Sequence, residues 1–179
     1  MLESTGVSTA PMIRPARPED VTTIHALIRA LARYEKLEHE AVGTVDALRE
    51  HLFGARPAAE VMLAEERGTV VGFALFFPTY STFLCKPGLY LEDLFVLPEH
   101  RGRGVGRALL VTLARLAVER GCGRFEWSVL DWNEPAIAFY LSLGAGRLTG
   151  WGGFRLAGDA LAALASDTRQ PVASTVVPG

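Results

Sequence analysis

The sequence predicts an α/β fold in which a mixed sheet carries helices on its faces. Three observations lead there. Residues 61–65 and 70–77 are apolar runs set around a Glu66-Arg67-Gly68 turn, the pattern of two paired strands. Val21, Ile24, Leu27, Ile28 and Leu31 recur at helical spacing, so a helix precedes them. Residues 90–97 form a further strand that runs through a glycine-rich loop into a helix over 105–120. Strands meander before that loop and alternate with helices after it. A doubly wound sheet, which alternates from its start, is thereby excluded.

The elements follow in order. Residues 13–16 read as a short first strand. Pro18, Glu19 and Asp20 open the first helix, with acids placed to suit its dipole. A second short helix is expected over 44–53. Lys86-Pro87-Gly88 reads as a turn before the strand at 90–97. In the helix over 105–120, Val105, Leu109, Leu113, Leu116 and Ala117 line one side, and Gly121 stops it. Residues 124–130 read as a strand. Residues 133–143 read as a helix capped by Asn133, with Pro135 in its first turn. Residues 147–149 and 154–156 are candidate closing strands. Small and polar residues over 1–11 predict a disordered N-terminus, and 166–179 a flexible tail, which leaves 12–165 as the folded domain.

Composition narrows the function classes. A chain of 179 residues with 49% apolar side chains suits one domain with a real core. A net charge of −2 gives no electrostatic case for nucleic acid or an anionic membrane. Cys85, Cys122 and the four histidines lack metal-ligand spacing, so no metal is expected. The N-terminus has no signal pattern, and no apolar run approaches the ~20 residues that span a bilayer, so a cytoplasmic protein is expected.

The loop is the most informative stretch. Arg101-x-x-Gly104-x-Gly106 puts bare backbone N–H groups at a helix N-terminus, where they can hold a phosphate. It is neither a P-loop, since no Lys-Ser/Thr follows, nor a G-x-G-x-x-G fingerprint. It resembles the pyrophosphate-binding loop of the GCN5-related N-acetyltransferases, which use acetyl-CoA. Residues 31–38 with Tyr34-Glu35, the strand segment Tyr90-Leu91-Glu92-Asp93, and residues 129–140 followed by Leu143-Gly144-Ala145 narrow the likeness. Together they resemble the diamine acetyltransferase group, which includes spermidine/spermine and thialysine Nε-acetyltransferases. Residues 80–83 and Leu130-Asp131-Trp132 lean to the thialysine branch. The resemblance spans about residues 12–165 and implies the acetyltransferase fold, a mixed central sheet flanked by helices.

It also implies roles. Arg101, Gly102, Arg103, Gly104, Val105, Gly106 and Arg107 would wrap the pyrophosphate of acetyl-CoA, mainly through backbone N–H groups. The backbone of Leu94, Phe95 and Val96 would pair with the pantetheine arm like an added strand. An N–H of Leu94 or a neighbour would polarise the thioester carbonyl. Asn133, Glu134, Pro135 and Ala136 would line the cofactor. Tyr140 would protonate the leaving thiolate, because a phenol pKa near ~10 lies close to that of a thiol. Glu92 would take the proton of the substrate ammonium. Tyr34, Glu35, Glu92, Asp93, Glu126, Trp127 and Ser128 would border the amine.

The strand geometry adds a constraint. As neighbours on a strand, Glu92 and Asp93 should face opposite ways, and for Asp93 a solvated or capping charge is the stronger reading beside a place in the amine site. Polyamine-specific members carry an acid before the central strand and an acidic pair near the end. Here those places read Ser81-Thr82-Phe83 and Trp151-Gly152-Gly153-Phe154. Fewer carboxylates disfavour a long polycation and leave a shorter amine; Trp151 either narrows the pocket or packs as core or at a dimer interface. The partners implied are a small-molecule primary amine and a second copy of the chain in a homodimer. Transfer to a protein lysine or N-terminus, and a non-catalytic acyl-CoA-sensing module, are the alternatives.

Overall fold

The computed structural model describes residues 10–150 and 152–167. They fall into two units that meet between Leu130 and Asp131 in the chain, each taken by itself. In the first unit one sheet is laid down in chain order: β1 (Met12–Pro15), β2 (Glu60–Glu66), β3 (Thr69–Ser81), β4 (Lys86–Val96) and β5 (Phe125–Trp127). The first four pair antiparallel, and β5 joins β4 in parallel. The helices of this unit are α1 (Val21–Glu35), α2 (Val45–Phe53) and α3 (Val105–Glu119). This is the mixed sheet flanked by helices that the sequence predicts.

Helix α1 is placed by its apolar stripe. Ile24, Leu27 and Leu31 pack with Leu52 of α2 and with Val61, Leu63, Phe73 and Phe95 of the sheet. The helix ends at Lys36, which adopts φ 61°, while Leu37 N–H donates to Ala32 O at 2.8 Å. Thr44 caps α2, accepting from Ala47 N–H at 3.2 Å. Helix α3 buries Val105, Leu109, Leu110, Leu113 and Ala117. Arg120, just past its end, lies over the ring of Phe76, so α3 covers the face opposite α1. At the start of the fold Arg14 bridges Asp20 and Glu65, both at 2.7 Å.

Several boundaries differ from expectation. Lys86-Pro87-Gly88 is not a turn but the first part of β4, paired with 79–81, and the chain reverses at 82–85 instead. Pro87 is tolerated there because β5 pairs only from Leu89 onward, so the missing N–H breaks no parallel ladder. The strand expected over 124–130 shortens to Phe125–Trp127.

In the second unit α4 (Glu134–Ser142) starts at Asn133, whose side chain accepts from Ala136 N–H at 3.4 Å. The closing strands expected at 147–149 and 154–156 are not formed; among the described residues of this unit no ladder partner is present. A helix that the periodicity does not announce, α5 (Gly158–Ala165), follows. Its run of Ala and Leu is strongly helix-forming but has no polar stripe to mark a period. Trp151, most of the expected N-terminal segment and nearly all of the tail lie outside the described residues. Among those described, no helix is long and apolar enough to cross a membrane.

Candidate active site

Strand β4 is paired on both sides only in its first half. Leu89, Tyr90 and Leu91 match Phe125, Glu126 and Trp127 of β5, which then diverges. On the other side Leu91 opposes Phe76 and Asp93 opposes Leu75, so Glu92 is the extra residue of a bulge. The bulge resets the pleat. Leu89 and Leu91 are buried on the α3 face, whereas Phe95 is buried in the α1 cluster. Leu97 N–H donates to Val71 O at 2.9 Å. By antiparallel alternation Phe95 and Phe73 form the next bonded pair inward. The N–H and C=O groups of Leu94 and Val96 therefore turn to the edge that β5 has left. An extended amide chain can add there as a strand.

The glycine loop follows directly. Gly102 and Gly104 adopt φ 73° and 82°, while a Cβ at either would meet nothing within 4 Å. Backbone conformation, not space, is what demands glycine here. Ala108 N–H makes the first helical bond of α3, to Gly104 O at 2.9 Å. The N–H groups of Val105, Gly106 and Arg107 then have no carbonyl within the helix to bond and point along its axis, which suits an anion. Glu66 steadies the loop from the β2–β3 turn: its Oε2 lies 2.7 Å from His100 Nδ1 and 3.7 Å from Arg103 Nη1.

Three carboxyls gather where α1 ends beside the bulge. Asp93 is partly buried, and its carboxyl is pushed up to about 6, chiefly by burial and then by the negative charges of Glu92 and Glu35. Burial also raises Glu35. The reading of Asp93 as a solvated charge is thus corrected: its carboxyl is desolvated and feels Glu35 at the end of α1, and at the bulge strict alternation between neighbours does not apply. Tyr34 lies next to Glu35, its ring 6.5 Å from that of Phe95.

Residues 24–145 match the acetyltransferase (GNAT) family. A thialysine N-epsilon-acetyltransferase of Bos taurus is 41% identical over 165 residues, spanning 86% of this chain and 96% of its own length. The chain belongs to the GNAT acetyltransferase family. By that membership it is an acetyl-CoA-dependent amine N-acetyltransferase. It is also 36% identical over 205 residues to an L-ornithine N5-acetyltransferase of Arabidopsis thaliana, spanning 89% of this chain and 90% of that one. An integron cassette protein from the mobile metagenome of V. cholerae superposes with a TM-score of 0.76 at 26% identity, covering 88% of this chain and 99% of that one.

Within this acetyltransferase the first unit brings together Tyr34, Glu35, Glu92, Asp93, the edge of Leu94 to Val96, and the loop of Arg101 to Arg107. Glu126 shares a register position with Tyr90, and its Oε2 is held by Arg124 Nε at 2.7 Å. Ser128 Oγ is 2.7 Å from Tyr90 Oη. Trp127 packs its ring 5.0 Å from Phe125. In the second unit Pro135 occupies the first turn of α4, and Tyr140 lies near its end, its ring 5.5 Å from Phe139. A cavity of about 610 Å³ at the start of β2, lined in part by Leu52, Val61, Phe76 and Leu116, contains none of these residues. The bulge and the His100–Glu66 contact escape sequence reading. Two acids inside an apolar strand hint at the first, and nothing local hints at the second, because its partners are 34 residues apart. Among the described residues no three or more His, Cys, Asp or Glu side chains are arranged so that they could hold a metal ion.

Proposed function

We propose that this acetyltransferase acts on the terminal amine of a small amino acid of lysine or ornithine type, with acetyl-CoA as the donor. The observation that carries the reading is the cluster of Glu35, Glu92 and Asp93, in which burial and then the charges of Glu92 and Glu35 push the Asp93 carboxyl up to about 6. Its small number of acids suits a compact substrate with one or two ammonium groups. The thialysine and L-ornithine acetyltransferases among the relatives support that choice.

The N–H groups of Val105, Gly106 and Arg107 hold the pyrophosphate, and the edge groups of Leu94 and Val96 hold the pantetheine arm. Glu35 and Asp93 attract the substrate's positive charge, and Tyr34 packs against its chain. A lysine-like ammonium has a pKa near ~10.4, so it must first lose a proton, which Glu92 accepts directly or through water. The nitrogen then attacks the thioester carbonyl carbon. The C–N bond forms as the carbonyl π pair moves onto oxygen, where an edge N–H, from Leu94 or Val96, stabilises it. Collapse restores the carbonyl and breaks the C–S bond. The departing thiolate takes a proton from the Tyr140 hydroxyl, and the second proton of the amine nitrogen, shed as the amide forms, returns through water to the Tyr140 phenolate. The active species is a homodimer, which sedimentation velocity will register at twice the chain mass.

The test is CoA release from acetyl-CoA with thialysine, lysine, ornithine, putrescine, spermidine, spermine and a lysine peptide. Highest kcat/KM on an amino acid is expected. Preference for spermidine or spermine would show that three acids suffice for a long polycation. Preference for the peptide would move the substrate class to proteins.

A further inference from the structure

Resemblance assigns Arg101 to the cofactor loop through its backbone, but its side chain reaches elsewhere. The guanidinium carbon lies 4.4 Å from the centre of the Tyr34 ring and 5.5 Å from that of Phe95. Its Nε donates to Val96 O at 2.9 Å, a carbonyl on the open edge of β4. Its backbone N–H donates to Pro98 O at 3.2 Å, so the residue is anchored at its base. This residue, at the start of the phosphate loop, therefore reaches with its side chain both the end of α1 and the edge of β4.

We propose that Arg101 is a positioning residue: by holding the Tyr34 ring, it couples occupation of the acetyl-CoA loop to the amine site. The inference rests on the function proposed above, with Tyr34 against the amine and the loop against the pyrophosphate. An anion settling on the loop fixes the Arg101 backbone, and a pantetheine arm on the β4 edge meets the carbonyl its Nε occupies. Either event sets where the guanidinium lies, and the stacked ring follows. Only a planar guanidinium can stack on a ring and donate in its own plane at once; an ammonium is a point donor. Coupling of this kind is reciprocal, so the amine must strengthen CoA binding by the same factor.

The experiment is calorimetric titration of thialysine with and without saturating CoA. It uses the full-length wild type, Arg101→Lys, Tyr34→Phe and Tyr34→Leu. In the wild type CoA should tighten thialysine binding about fivefold or more. Tyr34→Phe keeps the ring and should keep the factor. Arg101→Lys and Tyr34→Leu should bring it close to one, with amine KM raised by a larger factor than kcat falls. The affinity of Tyr34→Leu for CoA alone should stay within about twofold, since the ring acts through coupling and not through the loop. A factor that survives in Arg101→Lys, or that Tyr34→Phe loses as fully as Tyr34→Leu, overturns the proposal. A wild type that turns over amine with a factor of one removes the coupling alone. A wild type that acetylates none of the amines removes the proposed function and the coupling with it.

Discussion

Asp93 carries its charge at a disadvantage, first because it is desolvated and then because Glu92 and Glu35 lie near. Its carboxyl titrates at about 6 in the folded chain, above the usual carboxylate range that applies when unfolded. Folding is thus favoured by this group below about pH 4, and that contribution is lost as pH rises through about 6. Asp93→Asn should therefore stabilise the ligand-free protein at pH 7.5 by about 1–3 kcal/mol, with no gain at pH 4, in urea unfolding at the two values. The same variant should raise amine KM. That is the usual trade between a stable site and a working one. Tyr140→Phe addresses a different step. It should leave acetyl-CoA affinity unchanged and lower kcat on the order of 10²-fold, read by equilibrium binding and CoA release.

Strand β4 and its loop depend on two glycines for different reasons. Gly104 needs its φ of 82°; Gly104→Ala should cost about 1–2 kcal/mol in unfolding and weaken acetyl-CoA binding. Gly72 on β3 needs room: a Cβ there would meet Phe95 O at 2.7 Å and Val96 Cγ2 at 3.2 Å. Because the obstacle is backbone, β4 must move. Gly72→Ala should cost about 1–3 kcal/mol and raise the acetyl-CoA KM, since the displaced edge carries Leu94 and Val96. These elements also mark what the sequence discloses. The α1 stripe, the Asn133 cap and the glycine loop are legible because each depends on residues within one or two turns of each other. The bulge at Glu92 is not, because it exists only against Phe76 and Leu75 of another strand. The loss of the two closing strands has the same origin: a strand needs a ladder partner, and short apolar runs do not reveal whether one is present.

At the scale of the whole molecule two aspartates pull the pH profile in opposite directions. Asp20 is held below the usual carboxylate range, chiefly by its hydrogen bonds from Arg14 and despite its burial. Its contribution is present above about pH 4 and fades as pH falls through its depressed value. Asp93 erodes stability from the other side, above about 6. The ligand-free protein should accordingly melt highest between about pH 4 and 6, and a saturating amine should extend that plateau toward neutrality, as differential scanning fluorimetry across pH would register. The divergence of β5 from β4 reaches beyond catalysis. A sheet edge carrying Leu94, Phe95 and Val96 is a template for another chain, and the bulge and the Arg101 donor blunt it only in part. Under the proposed function the acetyl donor lies along this edge, and it would then also act as a removable seam. Light scattering of concentrated protein should show slower aggregation with CoA present than without it.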